Sequence, residues 1–156
     1  MVRNYRKVGV GGTFDELHKG HYALLEKALE VGDSVLIGLT TDKMLKANPK
    51  DHFVAKFDVR RRKLRSFLGN LSVLKRVKIV PLNDPYGPAV SEKELNALVV
   101  SPEAFVKGEE INELRLKKGF KPLKLVVIDV ALAENGLPIS STRIRRGEID
   151  LEGYLL

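Results

Sequence analysis

Short apolar, β-branched runs alternate with helical patterns along the whole chain, and this alternation narrows the possible folds more than any other feature. The runs are KVGVG at 7–11, SVLIGL at 34–39, VKIVPL at 77–82, ALVVS at 97–101 and LKLVVIDVAL at 123–132. Helical or loop-forming segments separate each run from the next, which is the signature of βα units building a parallel sheet. The expectation is an α/β fold: one domain over 1–156, with five parallel strands flanked by helices. A chain of 156 residues can bury one such core, and nothing in its composition marks a second.

Cap signals agree with the periodicity. HKGHYALLEKALEVG at 18–32 predicts an amphipathic helix closed by Gly32 as a left-handed cap. Asp58 is the expected cap of VRRRKLRSFLG, ending at Gly69, and Ser91 with Glu94 has capping-box spacing ahead of LNAL. Ser101-Pro102-Glu103 opens a further helix, with Gly119 just past its end. PISSTRIRRGEID, after the last strand, begins with hydroxyl residues suited to capping a short basic helix.

Composition removes several chemistries. There is no cysteine, so disulfides, thiolate zinc sites and cysteine nucleophiles are all excluded. The apolar runs are too short to span a membrane, and the N-terminus has no secretory pattern, so a cytoplasmic protein is expected. A net charge of +7 favours an anionic partner without choosing among nucleic acid, membrane surface and phosphorylated small molecule.

Ligands of open α/β sheets sit beyond the carboxyl ends of the strands, so the segments after strands carry the functional search. The first is VGGTFDELHKGHYALL at 10–25. Gly11 and Gly12 let phosphates approach the backbone closely, and Thr13 adds a hydroxyl. His18 and His21 fall three apart at a helix start, where the helix dipole is positive. Phe14 stands where a dinucleotide fingerprint needs its third glycine, and Lys19-Gly20 inverts the order of a P-loop. Two histidines with His52 remote in sequence also make a poor zinc site. Taken alone, the pair fits an ordinary helix start equally well. A second anion cradle is ISSTRIRRG at 139–147, where Ser140, Ser141 and Thr142 present N–H and hydroxyl groups and Arg145 follows one turn on.

Together, GGTFDELHKGH and ISSTRIR resemble the HxGH and ISSTxxR motifs of the nucleotidyltransferase superfamily, whose members share a Rossmann-like fold. The similarity extends over nearly the whole chain to phosphopantetheine adenylyltransferases, in the form found in archaea and in the animal bifunctional coenzyme A synthase. PLNDPYGPA at 81–89, LVVSPEAFVKGEEINELRLKKG at 98–119 and AENGLPISSTRIRRGEID at 133–150 carry it. Ala104 departs from the SxET pattern common in relatives, which withdraws a hydroxyl from the nucleotide side.

The resemblance implies transfer of AMP from ATP to phosphopantetheine in coenzyme A synthesis. It places His21 and His18 on the reacting phosphates, Gly11, Gly12 and Thr13 under them, and Ser140, Ser141, Thr142 and Arg145 on the β- and γ-phosphates. Among Lys43, Lys46 and Lys50, Lys46 is preferred for the acceptor phosphate. Gly108, Asn112 and Arg115 match a GxxxNxxR spacing on the adenine side, although a solvated helix face would account for Arg115 equally. Tyr86 and Gly87 would shape the pantetheine end, and magnesium would arrive with ATP without a protein site of its own. Neither nucleic acid nor membrane is an expected partner, and no oligomeric state is indicated.

Two rivals remain at this point. One is another nucleotidyltransferase, such as a glycerol-phosphate cytidylyltransferase or an FMN adenylyltransferase. The other is a nucleic-acid-binding protein using the run Arg60-Arg61-Arg62-Lys63 with Arg65, although adjacent helical residues point in different directions and no aromatics interleave.

Overall fold

A computed structural model describes residues 3–47 and 53–129. The chain runs β1 (Tyr5–Gly12), α1 (Lys19–Val31), β2 (Gly32–Thr40), α2 (Asp42–Ala47), α3 (Phe57–Asn70), β3 (Val77–Leu82), α4 (Pro88–Ser91), β4 (Ala97–Val100), α5 (Phe105–Lys117) and β5 (Lys124–Val127). Short 3-10 turns at Leu74–Arg76 and Pro102–Ala104 precede β3 and α5. Every predicted strand is present. Its pairings are all parallel, and the order is β3-β2-β1-β4-β5, the Rossmann-like order expected from the resemblance.

Because side chains alternate across a strand, the sheet divides the core in two. Val8, Val10, Val35, Ile37, Ala97 and Val99 pack on one face with Leu25 and Ala28 of α1 and Leu64 and Leu68 of α3. Leu36, Leu98 and Val100 pack on the other with Ala89 of α4 and Ile111 of α5. Strand β2 is buried from Val35 to Thr40, as a parallel strand covered on both faces must be.

The caps were less legible than the elements. Gly32 is not a left-handed cap: it is extended (φ −114°, ψ 137°) and begins β2 directly, because α1 runs into the strand without a loop. Asp58 lies in the first turn of α3, whose N-cap is Lys56, and the Phe57 N–H is bound instead by Asp42 Oδ1 at 2.9 Å. Ser91 ends α4 and opens no helix; LNAL leads into β4 and supplies its first two residues, Ala97 and Leu98. Gly119 does fulfil its expectation. At φ +78° it lets the Phe120 N–H reach the Arg115 carbonyl (2.9 Å) and its own N–H reach Leu116 (3.0 Å), closing α5 as a Schellman motif.

Candidate active site

Strand order reverses between β1 and β4, so the crevice beyond their carboxyl ends is where the fold itself places a ligand. A cavity of about 350 Å³ lies there. Gly9 and Gly11 of β1 and Gly38 of β2 contribute no side chain to the α5-facing side of the sheet, and Gly11 and Gly38 are register partners. That missing volume opens the space, which Leu82, Tyr86, Ala89, Leu98 and Ile111 wall in. A Cβ on Gly9 would stand 3.1 Å from Leu95, whereas one on Gly11 would point into the cavity with nothing nearer than 3.6 Å.

Gly11 and Gly12 are the last paired residues of β1 where a turn was expected, Thr13 begins the turn that follows, and all three line this cavity. Immediately after Thr13, Phe14 takes φ +48°, a conformation that bulky side chains adopt only where the surroundings impose it. What imposes it is burial: the ring is 1% exposed and lies 5.1 Å from the ring of His21. A Cβ on Gly12 would crowd the Phe14 ring at 3.1 Å, so the ring would have to give by a few tenths of an ångström.

His18 is the N-cap of α1. Its Nδ1 accepts from the Gly20 N–H at 3.0 Å and from the His21 N–H at 3.4 Å, which leaves the ring proton on Nε2. The two imidazoles stack at 3.9 Å with 17° between planes. Burial pushes the pKa of His18 down to about 4. Burial and the neighbouring His18 ring push that of His21 down to about 3, against a hydrogen bond to the Glu16 backbone. Both are neutral donors at pH 7, and Nδ1 of His21 is buried without a hydrogen-bond partner. A buried polar atom left in that condition is costly, and sites that await a ligand are where such atoms occur. Neither ring forms part of the cavity wall, although Thr13 before them and Leu24, three residues after His21, do; His21 adjoins the ring of Phe14, the residue after Thr13.

Other expected residues fall elsewhere. Lys46 is exposed in the last turn of α2 and is not part of the wall, although its neighbours Met44 and Leu45 are; the lysine in the wall is Lys107. Gly108 lines the cavity and lets α5 approach β5, since a Cβ would meet Leu125 at 2.9 Å. Asn112 has both ends of its amide engaged with the backbone of Leu123, at 2.9 and 2.7 Å. Arg115 is neither solvated nor turned toward a ligand. It is fully buried and donates to the carbonyls of Ala89, Glu92 and Lys121 at 2.8–2.9 Å, with longer bonds to Lys93 and Leu95. Tyr86 is in the wall and donates from Oη to Glu110 at 3.0 Å, while Asp84 accepts from the Tyr86 and Gly87 N–H groups. Ser140, Ser141, Thr142, Arg145, Lys50 and His52 lie outside the described residues.

Arg60 was missed. It opens the basic run, yet it is fully buried and bound to Thr13, Ala55 and Asp42. Its signal was in the spacing, because Arg60, Leu64 and Leu68 form one stripe at four-residue intervals. Arg61, Arg62, Lys63 and Arg65 are exposed.

A parallel sheet in the order β3-β2-β1-β4-β5, with a cavity at its switch point and two stacked histidines at the start of α1, defines a protein of the Rossmann-like class. More particularly, the chain belongs to the cytidylyltransferase-like family, which matches residues 10–147. The chain is 50% identical over 149 residues to the phosphopantetheine adenylyltransferase of Methanopyrus kandleri, covering 96% of this chain and 94% of that protein. With the phosphopantetheine adenylyltransferase of Methanosarcina mazei it shares 45% identity over 152 residues, 96% of each chain. A crystal structure of an Archaeoglobus fulgidus protein of unknown function superposes with TM-score 0.67 at 31% identity, covering 79% of this chain and 89% of that one.

Proposed function

We propose that this chain transfers AMP from ATP to the phosphate of phosphopantetheine, giving dephospho-coenzyme A and pyrophosphate in coenzyme A synthesis. The observation that carries the reading is the similarity over 96% of the chain to proteins of that name, joined to a cavity at the switch point lined by Gly11, Gly12 and Thr13 and followed in the chain by the stacked, neutral His18 and His21. An oxygen of the acceptor phosphate attacks Pα of ATP, the bond from Pα to the bridging oxygen breaks, and pyrophosphate leaves with the electron pair. The nucleophile is already ionised, so the enzyme's work is alignment and charge stabilisation, with no general base required.

In this proposal His21 turns its single ring N–H from the Glu16 carbonyl to the α-phosphate as the charge there grows, and His18 donates from Nε2 beside it. Neutral imidazoles suit the task, since they donate without adding a charge that burial disfavours. Gly11, Gly12 and Thr13 carry the reacting phosphates, while Ser140, Ser141, Thr142 and Arg145 hold the β- and γ-phosphates. Lys46 is the candidate for the acceptor phosphate because α2 borders the cavity through Met44 and Leu45. The apolar space running under α4 and α5 past Tyr86 suits a pantetheine arm, and Gly108 and Asn112 belong to the nucleotide side through the backbone of α5. Magnesium enters as MgATP, held by phosphate oxygens and water; among the described residues no group of three His, Asp or Glu side chains could hold it. A cytoplasmic location accords with this role, and no described helix is long and apolar enough to cross a membrane.

Pyrophosphate release tests the function, with MgATP and phosphopantetheine run beside CTP with glycerol phosphate and ATP with FMN. Release in the first mixture is expected. Release only in another would replace the substrates, and silence in all three, joined to salt-sensitive binding of RNA or DNA, would favour the nucleic-acid reading.

A further inference from the structure

Arg60 is 0% exposed, and its guanidinium ties together segments far apart in sequence. Nε donates to the Ala55 carbonyl at 2.8 Å, Nη1 to the Thr13 carbonyl at 3.0 Å and Nη2 to Asp42 Oδ1 at 3.1 Å. The same Asp42 oxygen accepts from the Phe57 N–H, and the Ala55 N–H donates to Asp15 Oδ1 at 2.9 Å. The guanidinium lies 5.8 Å from the centre of the Phe57 ring. The result is a closed circuit through the turn after β1, the segment before α3, α3 itself and the start of α2.

An arginine in this place carries a heavy desolvation cost, and a leucine would fill the stripe set by Leu64 and Leu68 more cheaply. What leucine cannot do is bind the Thr13 carbonyl. That carbonyl belongs to the turn that lines the cavity, and the turn continues into the strained Phe14 and the His18–His21 stack. Only a rigid planar fork reaches two carbonyls and a carboxylate at once; a lysine offers a single nitrogen.

We propose that Arg60, oriented by Asp42, is a positioning residue that sets the Gly11–Thr13 segment in its reactive geometry. The proposal rests on the adenylyl-transfer reading for its kinetic test but not for its spectroscopic one. Displacing the turn by a fraction of an ångström misaligns the in-line attack without removing any group that binds substrate, so turnover suffers more than affinity.

The experiment compares Arg60→Lys, Asp42→Asn and Leu68→Ala, the last a buried residue of the same helix that touches neither turn nor cavity. At a temperature where circular dichroism shows all three folded, Arg60→Lys and Asp42→Asn are expected to lower kcat by about 10- to 100-fold with each KM within about threefold. Leu68→Ala should lower the melting temperature and leave kcat alone. Wild-type kcat in folded Asp42→Asn and Arg60→Lys would overturn the proposal, as would an equal kcat loss in Leu68→Ala. If Arg60→Lys does not fold, Asp42→Asn decides. If the wild-type protein releases no pyrophosphate, the functional reading falls, and the link is judged from the imidazole carbon-bound proton resonances of His18 and His21. These should move in Asp42→Asn but not in Leu68→Ala, and resonances unchanged in both would overturn it.

Discussion

At the scale of single residues, two side chains that look alike in the sequence have opposite duties. His21 is half-buried, with its Nδ1 enclosed and without a hydrogen-bond partner, and in the proposed function it meets a phosphate. Replacing it with alanine is expected to reduce kcat by roughly 10²-fold or more while weakening ATP binding far less, because the donor acts mainly on charge that develops in the transition state. Titration calorimetry with ATP beside steady-state kinetics checks this, and equal losses in both would count against the role. Arg115 is fully buried, and every hydrogen bond it makes is to a backbone carbonyl of its own chain. Arg115→Met should therefore cost about 2–4 kcal/mol in urea unfolding, from carbonyls left unsatisfied. In whatever fraction stays folded, the KM for ATP should be nearly unchanged; a large KM effect with intact stability would restore the nucleotide-binding role. The histidines stand out in the sequence only beside the ISSTRIR segment, since their spacing alone fits an ordinary helix start equally well. The duty of Arg115 was not legible, since a sequence cannot tell a guanidinium aimed at phosphate from one aimed at carbonyls.

At the scale of elements, periodicity and burial agree closely. All five strands fall on the expected runs, with β1 and β2 extending one or two residues beyond theirs at each end, because apolar β-branched segments between polar helices have one way to bury both faces. Pro81 sits in β3, which is an edge of the described sheet and can therefore accept a residue without an N–H. The errors are at junctions. Gly32 was taken for a cap because glycine commonly follows a helix, yet its necessity is steric: a Cβ there would meet Val8 at 2.6 and 2.9 Å inside the core. Gly32→Ala is thus expected to destabilise by about 1–3 kcal/mol through overpacking. Urea midpoints would show it, and a stability gain, as relief of glycine entropy alone would produce, would refute it. Asp58 and Ser91 carried the right side chains for caps, but Asp42 reached the start of α3 from another helix, a contact no local window contains.

At the scale of the whole molecule, burying two histidines makes stability depend on pH. In the unfolded chain they protonate near pH 6.5, and in the folded protein only near 4 and 3. Between these limits the unfolded state binds more protons, so their contribution is fully present above about pH 7 and is lost progressively as the pH falls through 6 and 5. Urea midpoints at pH 8, 6 and 5 should fall in that order, and His18→Asn, which keeps an N-cap acceptor, should flatten part of the slope. Constant midpoints would mean that the rings are solvated. The alternation of runs by itself determined the α/β class and the strands, and the two motifs carried the resemblance to the family, because periodicity and motif spacing are local properties. The tertiary structure alone decided that three glycines on two strands open one cavity, that the first arginine of a basic run lies inside holding the Thr13 carbonyl, and that Asn112 and Arg115 brace a wall. Each of those depends on which distant backbone group a side chain meets, and that is settled only when the strands take their order in the sheet.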